Sequence, residues 1–386
     1  MFSALTSRLS QVYFAYFAIL GVVSHYLGLY LVHQGLTPFE VGVVLAVMTC
    51  GRIIGPLAGA AQTFIRLPKK AIIAASGVAL ACFSWVAVSE GALWLAMSLG
   101  CFAFFWSALL PQLETLSNLV LQGDSHKYSR VRLWGSLSFI LLAILAGSLF
   151  EIFGVVKTLE SATLSLLVLL FVCCFRLPDE PTEVGSKISD RSLIKSAQPF
   201  VVFSFFACSF LLQASFASYY GFFSVYMEAS GYTGQMTGIL IAIGVLVEIL
   251  VFIKAGFIMS KASLLSLMLF CLLMTSMRWF ATAFIAEQLV LLMLVQSLHA
   301  LSFALYHVCA QKFIFDYFPK DQQSRAQALY LAVSTGLGGA LGNLATGAIW
   351  QKVAHYSYFF SAILCLLAAA LMYAARQHTL GRRCIT

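Results

Sequence analysis

Charged side chains deep inside apolar segments are the first residues of this chain that could do chemistry. Glu248 lies in a run of about twenty apolar residues, the length a helix needs to cross a bilayer, that follows the turn Gly231-Tyr232-Thr233-Gly234. An ionised carboxylate at that depth costs about 2.5–3.5 kcal/mol on insertion scales. A partner or a watery cavity must offset that cost, and intramembrane ionisable groups are functional candidates for this reason. Glu114 falls one turn past Pro111, and Arg132 lies in Val131-Arg132-Leu133-Trp134-Gly135-Ser136 across a short loop, so carboxylate and guanidinium could meet. A planar guanidinium grips a carboxylate bidentately, and such a pair facing a cavity could open to hold a solute; the alternative is that Arg132 is a basic residue at the membrane interface. His299, Ser302, Phe303, Tyr306 and His307 are spaced to share one broad helical face. A histidine there could take up a proton near neutral pH or simply pack. Arg278 could snorkel to the interface or pair with Glu248. Of Tyr219 and Tyr220, one is expected to line a cavity, because a phenol in mid-helix needs a hydrogen-bond partner.

The elements that must position these groups are long apolar helices. The 386 residues are 61% hydrophobic and only 10% charged, against about 25% charged in a soluble domain. Twelve spans can be drawn, near 10–32, 39–61, 71–89, 92–117, 131–152 and 158–176, then 199–227, 235–259, 262–283, 288–315, 325–350 and 355–375. The polar stretch 177–196, with Pro178, Pro181 and Gly185, reads as a linker between a six-helix bundle over 1–176 and a second over 197–386 that ends in a short tail. An internal repeat supports the division: Gly35, Thr37 and Gly42 recur as Gly231, Thr233 and Gly238, Arg130 and Gly147 recur as Arg325 and Gly342, and Arg52 occupies the place of Glu248. Gly51 and Gly55 beside Arg52 permit close helix approach.

Of the 23 Lys and Arg residues, nineteen fall on one side if the N-terminus is inside, so the positive-inside rule places both termini in the cytoplasm. That distribution accounts for the net charge of +8 without a nucleic-acid partner. Met1–Ser10 runs straight into the first span, and no cleavable leader is expected. The ten cysteines show no metal-like spacing and read as buried apolar thiols. No H-E-x-x-H, nucleophile elbow or Walker loop is present.

Further patterns are Tyr13, Phe14, Tyr16 and Phe17 in the first span, Tyr219-Tyr220-Gly221-Phe222, Val247-Glu248-Ile249, Arg278-Trp279 and Leu298-His299. With the Val131–Ser136 motif and twelve spans in two alike halves, the chain resembles the major facilitator superfamily. Within it the resemblance is to the phenylpropionate permease branch, related to lactose permease and the nucleoside–proton symporters. The resemblance implies alternating access around one central site between the halves, with proton symport. It matches Glu114 and Arg132 to the sugar-gripping acid and arginine of lactose permease, Phe139 to its sugar-stacking tryptophan, and Glu248, Arg278 and His299 to its polar cluster on helices 8, 9 and 10. The chain departs from that pattern in several places. Ser302 replaces the helix 10 carboxylate, Gln213, Phe216, Gln296 and Gly338 replace two Asp–Lys pairs, and the acid of the loop 2–3 motif is missing near 59–63. A proton carrier must then be Glu248, Glu114 or a histidine, and galactoside specificity is not expected.

The expectation is an all-α membrane protein, twelve transmembrane helices in two pseudo-symmetric bundles, working as a proton-coupled symporter that imports a small organic solute. An aromatic carboxylate such as a phenylpropionate is the candidate solute, a sugar or nucleoside is the alternative cargo, and a transporter-like sensor or intramembrane enzyme is the alternative class. Glu114, Arg132, Phe139, Tyr220, Arg278 and His299 are the expected substrate contacts; Glu248, His299 and His307 are the expected proton-coupling groups. No metal and no cofactor beyond the proton is expected, the partners are the solute and the bilayer, and the protein should act as a monomer in a bacterial inner membrane.

Overall fold

Inside hydrocarbon an apolar segment can satisfy its backbone only by hydrogen-bonding to itself, and the computed structural model of the chain is all-helical. It describes residues 4–59, 68–122, 124–178, 198–320 and 322–383. Among these, eleven helices are long and apolar enough to span a bilayer, or twelve if one bent pair is counted as a span. We number them α1 (Thr6–Val23 and Leu27–His33, bent by 49°), α2 (Pro38–Ala58), α3 (Pro68–Val86), α4 (Gly91–Val120), α5 (His126–Phe153) and α6 (Val155–Phe175), then α7 (Pro199–Ala229), α8 (Gly234–Met259), α9 (Leu264–Phe284), α10 (Leu289–Tyr317), α11 (Gln323–Trp350) and α12 (Tyr356–Thr379). The expected linker lies outside the described residues except for Leu177 and Pro178, as does the loop 2–3 stretch beyond residue 59.

The chain divides into two compact units, Met1–Lys187 with Tyr220–Ile239, and Ile188–Tyr219 with Leu240–Thr386. The first is held by glycines where backbones touch. A Cβ on Gly51 would strike the Gly100 carbonyl and one on Gly55 the Phe104 carbonyl, which is how α2 comes to lie directly on α4. Gly21 meets the Phe139 backbone, Gly28 the Gly221 backbone and Gly147 the Gly234 backbone in the same way. α1 breaks at residues 24–26, and the break leaves the His25 carbonyl to accept the Ser224 hydroxyl at 2.5 Å. Freed backbone groups in a broken span need such side-chain donors. Tyr26 then donates to the Ala143 carbonyl at 2.9 Å.

In the second unit α7 packs on α11 through Gly338 against Phe210 and Gly342 against Ala214. Two π-helical stretches interrupt the spans, Leu301–Leu305 in α10 and Ala332–Gly338 in α11. Such wide turns re-aim the side chains that follow them and cluster at functional sites. The first begins two residues past His299.

The glycine contacts predict opposite outcomes for one substitution at two places. Gly55→Ala forces a backbone carbonyl aside and should cost about 1–3 kcal/mol, as overpacking does. Gly256→Ala meets nothing within 4 Å and should gain up to about 1 kcal/mol of helix propensity. Thermal unfolding in detergent should lower the midpoint for the first and hold or raise it for the second.

Candidate functional site

The second unit contains a polar cluster built around a guanidinium with no solvent exposure. Arg278, on α9, has 0% exposure. Its Nη2 donates to Gln296 Oε1 at 3.0 Å, and its Nη1 lies 3.0 Å from His299 Nδ1, both partners on α10. The guanidinium also sits over two aromatic faces, 4.4 Å from the Tyr219 centroid and 4.3 Å from that of Trp279. Burying an ion costs several kcal/mol. Two charge-assisted hydrogen bonds at about 1.5–3 kcal/mol each and desolvated cation–π contacts near 2 kcal/mol are of the size needed to offset it.

The geometry fixes the state of the histidine. A guanidinium has only donors, so His299 Nδ1 must be the acceptor, and the ring proton is assigned from this hydrogen bond to Nε2. Nε2 faces Glu248 Oε2 on α8 at 3.7 Å, too long for a direct hydrogen bond but within reach of a small movement. Gly244, one turn before Glu248, is what lets α8 approach: a Cβ there would press on His299. Gln296, Arg278, His299 and Glu248 therefore form one line of polar groups, ending at a carboxylate whose side chain is 17% exposed.

Arg278 thus does not snorkel. The long side chain stays among α9, α10 and α7 because acceptors and aromatic faces lie within its own reach, and His299 stands on its path to Glu248. The stripe on α10 also departs from the single face expected of a regular helix. His299, Phe303 and His307 stack in a ladder with centroids 5.6 and 6.3 Å apart, because the π-helical turn keeps residues four apart nearer one line. Ser302 and Tyr306 are turned inward instead: Tyr306 lies 3.0 Å from the Ser209 hydroxyl, and Ser302 donates to the Leu298 carbonyl at 3.1 Å.

In the first unit the polar groups are looser. Arg132 lies with its Cζ 3.9 Å from the Phe17 ring centroid and close enough to Glu114 for the charges to interact. Among the described residues the two do not close into an ion pair within 4 Å. Tyr16, stacked on Trp106 at 5.0 Å, is within electrostatic reach of Arg52, Glu114 and Arg132 together. Phe139 and Tyr220 are both brought against His25, at 6.0 and 5.1 Å between centroids. His25 is buried, with Nδ1 2.7 Å from the Ser24 hydroxyl. This histidine was not singled out from the sequence. A lone His in the middle of the first apolar run is a signal of the same kind as Glu248, but the break that surrounds it has no glycine or proline to announce it. Lys254 and Arg52 are exposed on their helices.

The description of the MFS_1 like family matches residues 6–362. The chain belongs to this family. It is 29% identical over 372 residues to the "Probable 3-phenylpropionic acid transporter" of Escherichia coli (strain K12), a match over 95% of this chain and 97% of that one. It is 26% identical over 337 residues to the maltose permease of Geobacillus stearothermophilus, covering 84% of this chain and 83% of the relative. Its fold superposes on the crystal structure of the nucleoside transporter NupG with a TM-score of 0.83 at 17% identity, over 97% of this chain and 99% of that one. The protein is therefore a multi-pass secondary transporter of the major facilitator superfamily and not an enzyme, and its partner is a small-molecule substrate.

The Arg278 geometry predicts that charge alone does not suffice at this position. Arg278→Lys keeps the cation but cannot reach Gln296 and His299 with a planar fork. Losing one charge-assisted bond should cost about 1.5–3 kcal/mol, read as a lower unfolding midpoint in detergent. Unfolding indistinguishable from wild type would show that the fork is not what holds the cluster.

Proposed function

We propose that this transporter imports an aromatic carboxylate together with a proton, by alternating access, and that Glu248 carries the proton. The observation that carries this reading is the line Arg278–His299–Glu248. With Glu248 ionised, its charge and that of Arg278 cancel, because His299 is held neutral between them. With Glu248 protonated, the cluster keeps one net positive charge. A substrate carboxylate is then drawn to the protonated form and meets no net charge in the ionised one, the difference being its repulsion from the Glu248 carboxylate. Two like charges about 8 Å apart at an effective dielectric near 20 repel by about 2 kcal/mol, which is roughly thirtyfold in affinity and lies in the usual range of coupling energies. The coupling is reciprocal: bound substrate also makes the proton harder to lose.

Within the second unit, Arg278 and His299 are the proposed contacts of the substrate carboxylate. Within the first, Phe139 and Tyr220 offer aromatic faces beside His25, and Glu114 and Arg132 offer polar contacts. His307 is a second protonatable group at the far end of the ladder, separated from His299 by Phe303, which has no group to pass a proton. The name of the Escherichia coli relative supports an arylpropionate as substrate. The distribution of Lys and Arg supports cytoplasmic termini and a cytoplasmic linker; bundles over 1–176 and 197–386, a bacterial inner membrane and inward transport by a monomer complete the proposal.

A second reading keeps the proton and changes the cargo to a sugar or nucleoside. Glu114 with Arg132 favours it, since a carboxylate and a guanidinium side by side suit hydroxyl groups, and the maltose permease relative supports it. Counterflow of labelled 3-phenylpropionate in proteoliposomes, competed by unlabelled arylpropionates, maltose and nucleosides, separates the two. Competition by sugars or nucleosides alone would overturn the carboxylate. For the proton, Glu248→Gln should retain counterflow, which needs no net proton movement, and lose accumulation driven by a pH gradient. Normal accumulation in that variant would remove Glu248 from the role.

A further inference from the structure

The first unit contains a pocket of about 590 Å³ that the transport reading does not use. It lies where the start of α1, the third turn of α5 and the end of α6 come together, and its lining includes Ser7, Gln11 and Phe14, Trp134, and Leu169 and Arg176. Residues 7, 11 and 14 share one face of α1, as residues 169 and 176 share one face of α6. Along α1 the lining changes from hydroxyl and amide to phenyl over seven residues, about 10 Å of helix. Along α6 it changes from leucine to guanidinium over the same rise in the opposite chain direction. Both gradients therefore run the same way, polar at the helix ends and apolar toward mid-span.

That order is the order of a phospholipid, headgroup outermost and acyl chain within. Trp134 is where an indole belongs at a membrane–water boundary. Beyond the pocket, Leu137 and Leu141 on α5 and Val172 on α6 remain exposed and continue an apolar track for a chain to lie on. At the mouth, Ser7, Gln11 and Arg176 are exposed, and among the described residues Arg176 forms no ion pair with a carboxylate within 4 Å. The described charges at this end are mainly basic, with Arg8, Lys127, Arg130 and Arg176, while Asp124 is engaged by Lys127 at 3.1 Å.

We propose that this pocket binds one anionic phospholipid, its phosphate on Arg176 with Ser7 and Gln11 as further donors, and one acyl chain against Phe14, Trp134 and Leu169. A pocket between transmembrane helices with a basic mouth selects anionic headgroups over zwitterionic ones, on the order of fivefold for each cation near the surface. The contacts are independent of how the transport cycle is coupled and of which substrate it carries.

Native mass spectrometry of the full-length protein in detergent tests the site, with phosphatidylglycerol, phosphatidylethanolamine and glycerol phosphate as separate probes. One phosphatidylglycerol should bind at least fivefold more tightly than phosphatidylethanolamine, and glycerol phosphate should not bind. Arg176→Ala should erase the preference for phosphatidylglycerol. Leu169→Trp, which fills the apolar end and leaves the mouth intact, should weaken both lipids. Equal binding of the two lipids by the wild-type protein overturns the proposal, as does binding of glycerol phosphate as tightly as lipid, which would make the mouth a phosphate site only. An unchanged preference in Arg176→Ala overturns it as well. Unfolding midpoints without lipid identify a misfolded variant, and the wild-type comparison then decides alone.

Discussion

A guanidinium that cannot lose its proton, placed where no water reaches it, dictates the chemistry of everything around it. Arg278 needs acceptors, and it takes them from Gln296 and His299. It needs polarizable faces, and Tyr219 and Trp279 supply them. Each of these neighbours is then committed in turn. Trp279 cannot also use its indole N–H on the cluster, and donates it to Ser215 at 3.0 Å; Ser215 is in addition approached by Cys365 at 3.2 Å. His299 has one nitrogen fixed as an acceptor, so its remaining N–H is aimed at Glu248. One buried charge thereby sets side-chain roles on α7, α8, α9, α10 and α12, all within the second unit. The carboxylate is the only member of the line left partly exposed.

The first unit presents the opposite arrangement. Arg132 rests over the Phe17 ring rather than in a fork of acceptors, and Glu114 shares its electrostatic surroundings with Arg132, Arg52 and Tyr16 without a closed pair among the described residues. A buried set of charge-assisted contacts is costly to disturb, whereas an open one leaves donors and acceptors for a ligand. The two sets of charges, similar when read as residue types, thus differ by geometry: one is packed around a buried guanidinium, and the other is open.

How far the sequence revealed this differs from element to element. The spans were legible because about twenty apolar residues have few alternatives in a membrane; the rarity of charge within them marked Glu248, Arg278 and His299 one by one, and the resemblance to lactose permease grouped them. Gly51 and Gly55 announced a close helix approach, since glycine at that spacing allows backbones to touch, and the structure supplies α4 as the partner. The tautomer of His299 was not legible, because it depends on which nitrogen the guanidinium reaches. Nor was the splitting of the α10 stripe, which follows from a π-helical turn with no sequence mark: regular periodicity places Ser302 and Tyr306 beside His299, whereas Tyr306 meets Ser209 of α7 and Ser302 bonds to its own helix. His25 escaped notice for a related reason, since the break in α1 is stabilised by a hydroxyl on α7, Ser224, nearly two hundred positions away in the chain.

The α10 turn also bears on the departure at Ser302, where the resembled permease pattern has a carboxylate. The Ser302 hydroxyl is engaged by the Leu298 carbonyl and the residue is buried, so it offers nothing in exchange for the lost acid. The carboxylate facing His299 comes instead from α8, through Glu248, where Gly244 allows the close approach. A histidine held by an arginine on one edge can serve a carboxylate on the other edge whichever helix supplies it, because the requirement is on the direction of one N–H and not on chain position. If Glu248 carries the proton, the loss at Ser302 need not abolish coupling, provided the arginine, the histidine and a partly wetted acid remain in line.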